Sequence, residues 1–580
     1  MMRSPLNTHN NGTEVYGHFS ALRRVVNLAC AFIILFGSTI SPVFAQQAAP
    51  HIVVDPTALG PHPTLEKTQN GIDQVDIATP NGAGVSHNTF RNYNVSSNGI
   101  VLNNAPHNIQ TKIGGAILGN ANLNGHSAHV ILNEVSGSLP SQIAGYTEVA
   151  GQQAAVILAN PNGLTCNGCG FINTSRVTLT TGRPNLDAQG NVRSFYVNGG
   201  AVAFEGRGAD FTAVPILDIL SRSVKIAAPV NAQKVAMVLG RNQVAYGSNT
   251  PTALADDGTK KPEWALDTAA MGGLYANSIY MVVNEAGAGV RVDGTMASNA
   301  GDMHLDGQGN LVLNGQMASS GQLDSSISGT THIGTHGAMV AQENLTLNSK
   351  GDLINSGVVA AHDGGVHLTS GSPIVNSGTI ASYVGPVVVH SADRITNSGT
   401  VNAQSGRGEF QADALSNQGE IFTHDGLIVG LVHDLDNHDG TIGSVLGAVV
   451  LTGGVKDTFN NDQGKITAQS GDVTISTGQL SNNGGTIQGN GTVTATLGSY
   501  GSDAHSVFTG GRNLTVTASG AVQNEGVLAS GQALHVQASG FGNGTQGQVQ
   551  GQTVTAEIGS GGLTNVGSLI GTTGVTLTSQ

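Results

Sequence analysis

Charged residues, aromatic rings and cysteine are all scarce in this chain. Of its 580 residues only 10% are Asp, Glu, Lys or Arg and 4% are aromatic, with a single Trp. That balance suits neither a helical enzyme nor a disordered acidic chain, both of which carry many more charges. The formal net charge is −14 and no run of Lys and Arg occurs anywhere, which excludes nucleic acid as a partner, because binding phosphates requires clustered cations. What fills the space is Gly, 83 residues of it, together with Asn, Thr, Ser and Val. Such a mixture favours many short strands joined by tight turns. The length alone would allow several globular domains, but the composition argues against them.

Residues 1–45 read as an extended secretory signal peptide. Arg23 and Arg24 precede an apolar run from Val25 to Phe36, and Val43 and Ala45 occupy the −3 and −1 positions of a cleavage site. The run is too short to span a bilayer. Cys30 follows Leu28-Ala29 but sits inside the run, so cleavage after Ala45 is favoured over a lipoprotein box. The mature chain is then expected to begin near Gln46, to be soluble, and to leave the cytoplasm by the Sec route.

After that cleavage only Cys166 and Cys169 remain, and two cysteines three apart cannot hold together an exported chain of this length. The apolar core must do so. The pair could be a local disulfide, a redox site or half of a zinc site. Zinc needs four ligands and there is no second pair, and a thioredoxin-like site needs a βαβ context that is absent, so the local disulfide is favoured.

From about residue 290 the chain repeats one phrase: a polar residue, usually Asn, then Gly, then two residues of which the second is often Ile, Val or Met. Asn355-Ser356-Gly357-Val358, Asn376-Ser377-Gly378-Thr379-Ile380 and Asn397-Ser398-Gly399-Thr400-Val401 are examples. Its glycines run from Gly294 through Gly315, Gly337, Gly357, Gly378, Gly399, Gly419, Gly440, Gly464 and Gly485 to Gly526, Gly547 and Gly567, at a mean spacing of 21 residues once the gap after Gly485 is counted as two steps. A period this steady marks a solenoid. Between the glycines lie β-branched runs such as Val387-Val388-Val389, and two or three strands with their turns use up the period, leaving no room for a crossover helix. The fold class is therefore all-β: a right-handed parallel β-helix (solenoid) with about 21 residues per coil. Stacking at ~4.8 Å per coil gives the repeats a length of roughly 60 Å. The recurring Asn is expected to stack as an internal amide ladder, and the recurring Gly to supply the positive φ of a corner. A buried Val changed to Asp should then damage one coil without abolishing the rod. Residues 574–580 resemble the middle of a coil with no polar cap, so the natural chain is expected to continue past Gln580.

Residues 46–290 are β-rich but less regular, with a Pro-containing, charged interruption from Asn249 to Glu263 that reads as an exposed loop. They contain Asn160-Pro161-Asn162-Gly163-Leu164-Thr165-Cys166-Asn167-Gly168-Cys169-Gly170-Phe171-Ile172-Asn173-Thr174. This long phrase resembles the central motif of the secretion domain of the filamentous haemagglutinin family. Asn88-Thr89-Phe90, Asn92-Tyr93-Asn94-Val95, Val130-Ile131-Leu132-Asn133-Glu134-Val135 and Ala270-Met271-Gly272-Gly273-Leu274-Tyr275-Ala276 resemble its other conserved phrases, and the repeats of residues 291–580 are similar to that family's haemagglutinin repeats. One departure is that the family's Asn-Pro-Asn-Leu appears as Asn120-Ala121-Asn122-Leu123, without the Pro that presets the turn.

The resemblance implies that residues 46–290 are a two-partner secretion (haemagglutination activity) domain. Such a domain is recognised unfolded in the periplasm by an outer-membrane TpsB-type β-barrel transporter with periplasmic POTRA domains and threaded outward, and folding at the surface helps to pull the rest through. It also implies a secreted or surface-held adhesin of a Gram-negative bacterium, directed at a host or bacterial surface receptor or glycan. The residues expected to carry secretion competence are Asn160, Pro161, Asn162 and Gly163, with Asn120, Asn122 and Leu123 in the earlier motif. Replacing Asn160 or Asn162 by Ala is expected to abolish release.

Catalytic chemistry is not evident, and no catalytic residue, cofactor or metal is expected. Gly542-Asn543-Gly544-Thr545-Gln546-Gly547 fits G-x-G-x-x-G but lies in a Gly-rich repeat with no helix after it. His433, Asp434, Asp436, His438 and Asp439 could be metal ligands or an acid and base, but they span the corner at Gly440, where a solvated turn is the simpler reading. Three rivals to the adhesin stand: the stalk of a contact-dependent growth-inhibition toxin, a pore-forming cytolysin, and a β-helix polysaccharide-degrading enzyme.

Overall fold

The computed structural model describes residues 52–248 and 250–579; the expected signal peptide, with Cys30, lies outside the described residues. Among the described residues there is no α-helix, and almost every strand is paired in parallel with its counterpart one coil away. A representative coil consists of the strands Leu353–Asn355, Val358–Ala361 and Val366–Ser370. They pair in register with Ile374–Asn376, Thr379–Ser382 and Val387–Ser391 of the next coil. Three parallel sheets thus run the length of the solenoid, one on each side of every coil.

Alternation along each strand sends one residue inward and the next outward. In the second sheet Val359, Ile380, Val401, Ile421 and Ile442 stack on one another, and all are at most 2% exposed. In the third, Leu347, Leu368, Val389, Phe410 and Val429 do the same. These columns merge into one apolar core from Val75 to Ile558.

The corner phrase serves two purposes. Its Asn forms a ladder in which the side-chain Nδ2 of one coil donates to the Oδ1 of the next: Asn355 to Asn376 at 2.8 Å, Asn376 to Asn397 at 2.7 Å, Asn397 to Asn417 at 2.8 Å, then on through Asn437 and Asn461 to Asn482. The ladder stops where Asp503 stands near the next corner, accepting instead from Gly484 N, His505 N and Ser506 Oγ, and it resumes from Asn524 through Asn543 to Asn565. Ser506 stands there in place of the corner Gly, which is why the glycine spacing doubles at that point. Asn397→Ala would strand the Asn376 donor and the Asn417 acceptor inside the core, and about 1–3 kcal/mol for each unsatisfied group is the expected loss, to be read from chemical denaturation.

The expectation that the recurring glycines adopt positive φ is corrected by the structure. None of Gly357, Gly378, Gly399 and Gly419 does so. Glycine is required there because coils approach too closely for a side chain: a Cβ on Gly378 would collide with the carbonyl oxygen of Gly357, one on Gly399 with that of Gly378, and one on Gly419 with that of Gly399. Those carbonyls accept the next coil's amides, Thr379 N at 2.8 Å and Thr400 N at 2.9 Å, so the coils cannot part without losing the ladder of backbone bonds.

The N-terminal module belongs to the same solenoid. Ala154–Ala159 pairs with Val130–Val135 on one side and Thr174–Thr180 on the other, and the series continues through Ala209–Ser221, Pro229–Leu239 and Ser278–Val283 to Met303–Gly307 in the repeats. Antiparallel additions distinguish it. Arg183–Leu186, Val192–Val197, Asn242–Ala245 and Pro251–Ala253 form a four-stranded sheet laid on the outside of the coils. Phe195, Val197 and Val244 bury against the outward-facing Leu132, Ile157, Leu220 and Val238. Part of the segment read as an exposed loop is therefore the edge strand of that sheet, because Arg241 holds it back: Arg241 Nη1 donates to Ala255 O and its Nη2 lies 2.7 Å from Asp257.

Near the start of the described chain Val53–Val54 pairs antiparallel with Val85–Asn92, and Asp55 secures the contact by accepting from Ser136 Oγ at 2.6 Å and from Thr57 Oγ1 at 2.6 Å and N at 2.9 Å. The Ser136 hydroxyl above all, with those of Thr57, holds the Asp55 carboxyl well below the usual carboxylate range. Because its pKa is lower folded than unfolded, its contribution is present above pH ~4 and is lost as the pH falls below that. The protection of the Val53–Val54 amides, taken relative to the intrinsic exchange rate at each pH, should hold from neutral pH to pH ~4 and fall below it. Asp55→Asn should remove that dependence, and an unchanged pH profile in the variant would contradict the assignment.

Candidate functional site

The motif around Asn160 makes a corner between sheets. Asn160 is fully buried, and its Oδ1 accepts from Asn162 N at 2.9 Å, closing an Asx turn around Pro161. Its Nδ2 reaches back one coil to donate to Leu139 O and Ser141 Oγ, each at 3.0 Å, while its backbone N donates forward to Thr180 O at 2.9 Å. One residue therefore ties three successive coils, its side chain reaching back and its backbone forward. Asn162 is exposed and donates to Gly137 O at 2.8 Å. Gly163 has a φ of 117°, open to glycine at little cost, and its carbonyl accepts from Ser141 N at 3.0 Å.

Asn120 is constructed in the same way. Its Oδ1 accepts from Asn122 N at 2.9 Å, and its Nδ2 donates to Asn103 O at 2.9 Å and Ile77 O at 3.0 Å. It caps a single 3-10 turn, Ala121–Leu123, that inserts Leu123 into the core. Ala121 is exposed, so the missing proline ring removes no packing, and the Asn120 side chain closes the turn by itself. The two motifs do not meet: they have no partner in common and stand as two turns of one design on different coils.

Leu164–Cys166 and Cys169–Ile172 leave the Asn160 corner on two faces of the coil, and the turn between them, with Gly168 at a φ of 90°, is bridged by a Cys166–Cys169 disulfide with Cα atoms 5.3 Å apart. Both cysteines are 1% exposed. Arg207 clamps the same turn from the next coil, donating to Asn167 O at 3.0 Å and to Ala144 O. Below it Phe171 stacks on Phe211 with centroids 5.8 Å apart. With only four residues in the loop, the bridge is worth about 2 kcal/mol by chain entropy. The double variant Cys166→Ser, Cys169→Ser should unfold earlier by that amount in denaturant yet still be released, since Arg207 keeps the turn closed. Loss of release would assign the bridge a role in export.

Sequence reasoning missed the polar anchors of the added elements. Glu148, 4% exposed, accepts from Lys112 N at 2.7 Å and Ile113 N at 2.8 Å and so fixes the small hairpin of Ile109–Gln110 and Ala116–Ile117. Arg176 pairs with Asp218 at 2.5 Å, and Arg222 with Glu285 at 2.8 Å. These partners lie 35 to 63 residues apart, and no local pattern announces them.

The His433 cluster separates into corner contacts. Asp434 accepts from Thr458 N at 2.7 Å, Asp436 from Asn460 Nδ2 at 2.9 Å, His438 lies 3.3 Å from Asp439, and His433 is 3.5 Å from Asp413. Among the described residues no group of three or more His, Cys, Asp or Glu is disposed to hold a metal. The Gly542–Gly547 phrase is a coil corner with Asn543 as a rung of the ladder.

Residues 51–313 match the family model described as TPS secretion domain. A tRNA nuclease CdiA of Yersinia mollaretii is 43% identical over 289 residues, which cover 50% of this chain and 10% of that protein. A 16S rRNA endonuclease CdiA of Enterobacter cloacae is 42% identical over 328 residues, 53% of this chain and 10% of the other. The chain thus spans about a tenth of the length of these curated relatives. Among solved structures, a filamentous hemagglutinin secretion domain is 29% identical, with 57% of this chain and 96% of that one covered and a TM-score of 0.40.

Proposed function

From the premise that residues 51–313 are a TPS secretion domain, and the chain a two-partner secretion exoprotein, we propose that it is exported across the outer membrane of a Gram-negative bacterium through a TpsB-type transporter and acts outside as a filamentous adhesin. The secretion-domain match carries this reading. The domain organisation follows from it: residues 1–45 direct Sec export, 46–290 engage the POTRA domains of the transporter, and 291–580 form the adhesive repeats. The physical continuity of the coils supports it. Strands of the secretion module template the first repeats directly, Trp264–Thr268 with Gly289–Val292 and Ser278–Val283 with Met303–Gly307, so a module that folds first outside the cell presents an open edge on which each emerging coil can add. Among the described residues the one disulfide closes a four-residue loop, which leaves the chain threadable.

The test is release into the medium from cells with and without a transporter of this class, followed by binding of the released chain to host and bacterial cells. Release that does not depend on the transporter refutes the export reading, and a released chain that binds no cell refutes the adhesive one. The repeats are proposed to bind rather than to catalyse, and turnover of any polysaccharide by the released chain would overturn that.

A second reading has a specific observation in its favour. The relatives named as CdiA nucleases share this N-terminal half at about 40% identity, so the same coils would serve equally as the stalk of a contact-dependent growth-inhibition toxin. Growth competition between cells that carry the intact gene and cells that lack it separates the two, since an adhesin confers no killing.

A further inference from the structure

The outer face of the third sheet carries an axial column of short hydrogen-bonding side chains, and at its edge lie two grooves of the same phase. The first, of about 590 Å³, is lined by Thr369, His390, Gln411, Gly430 and Thr452, which succeed one another coil by coil. The second, of about 610 Å³, is lined by Thr496, Thr517, Gln537 and Glu557, further along the same column, and the Glu557 carboxylate repels a polyanion there. Ser476 joins the two, being paired with Thr452 on one side and Thr496 on the other.

We propose that this grooved face binds a linear, uncharged polysaccharide lying along the solenoid axis. This rests on the adhesive reading and names its ligand class.

Three observations carry it. Coils repeat every ~4.8 Å, so hydroxyl and amide groups recur along the axis at an interval on the scale of a sugar ring, and a chain of like units can meet like contacts. Threonine hydroxyls and a glutamine amide both donate and accept, which suits sugar hydroxyls and suits no single fixed charge. Gly430 interrupts the column with a notch: a Cβ there would meet nothing within 4 Å, and Val432, 63% exposed, supplies an apolar wall beside it, so polar groups and an apolar surface converge as they do in small-molecule sites. The charge selects among polysaccharides. No lysine or arginine falls at any position of this column from Thr369 to Thr578, which leaves sulfated or uronic chains without the cations they need.

The released full chain should be applied to an array of neutral linear glycans alongside heparin and polyuronates, with cell binding measured in parallel. Retention on one or more neutral glycans and none on the polyanions is expected. Gly430→Trp, which fills the notch in open space, and Gln411→Ala, which removes an amide without touching the core, should each weaken that retention roughly tenfold. Retention on the polyanions alone, on no glycan at all, or unchanged in both variants overturns the proposal. If the chain still binds cells in those cases, the adhesive reading stands without it, and if it binds neither cells nor glycans, both fall.

Discussion

Asn160→Ala should abolish release of the chain into the medium, whereas Asn162→Ala should only reduce it. Both were expected from sequence to be equally severe, but the geometry ranks them. Asn160 is fully buried and its amide satisfies Leu139 O, Ser141 Oγ and Asn162 N across consecutive coils. Truncation leaves Ser141 Oγ without its partner inside the coil, at about 1–3 kcal/mol, and releases the Leu139 carbonyl and the Asx turn besides. Asn162 is exposed and donates to one carbonyl beyond its own turn, Gly137 O, so water can replace it at about 1 kcal/mol or less. The assay is the amount of chain in medium, periplasm and cell when the transporter is co-expressed, with chemical denaturation of each variant refolded in vitro. If Asn160→Ala refolds with an unchanged midpoint yet stays in the periplasm, the transporter reads the residue directly. If stability and release fall together, the corner acts by nucleating the coil. Normal release of both variants would remove the motif from the mechanism altogether.

How much of this was legible in the sequence depends on the range of the interaction. The 21-residue period, the three-strand coil and the Asn ladder could be read because stacking imposes the same residue at the same phase, and Asn376, Asn397 and Asn417 are each explained by their neighbours one coil away. The doubled gap after Gly485 was legible only as a count, because its cause, Asp503 and Ser506 standing where Asn and Gly would, shows only once the coils are stacked in register. The two asparagine turns were located correctly as turns, but their sequence could not show that Asn160 and Asn120 reach into adjacent coils. The four-stranded outer sheet was invisible because its strands are separated by about 45 residues of solenoid between Val197 and Asn242, and their apolar faces alternate like any other strand. The grooved face was missed for the opposite reason: Thr, Gln and Gly on an outer face look like ordinary solvated positions until register places them in one line.

The recurring glycine provides the sharpest test of the fold, because two explanations of it predict different outcomes. Were its purpose a positive φ, Ala would be strained by backbone conformation alone, and Asn or Asp would partly substitute. The structure instead makes it a matter of distance: a Cβ on Gly378 meets the Gly357 carbonyl oxygen, and Gly399 is stacked on Gly378 in the same way above it. Gly378→Ala should therefore cost about 3 kcal/mol, the upper range for overpacking, because the neighbour that must yield is backbone already bonded to Thr379 N. Gly378→Asn should be at least as damaging, since a longer side chain brings the same Cβ. Gly430→Ala is the matched control, a glycine on the same solenoid whose Cβ would meet nothing, and should be neutral to within about 0.5 kcal/mol. Because each coil touches only its neighbours, hydrogen exchange should quicken in the coils carrying Gly357, Gly378 and Gly399 and remain unchanged near Asn160 and Asn543. Rescue by Asn at Gly378, or a loss spread evenly along the chain, would return the glycine to a conformational role and deny that close stacking of the corners sets the period.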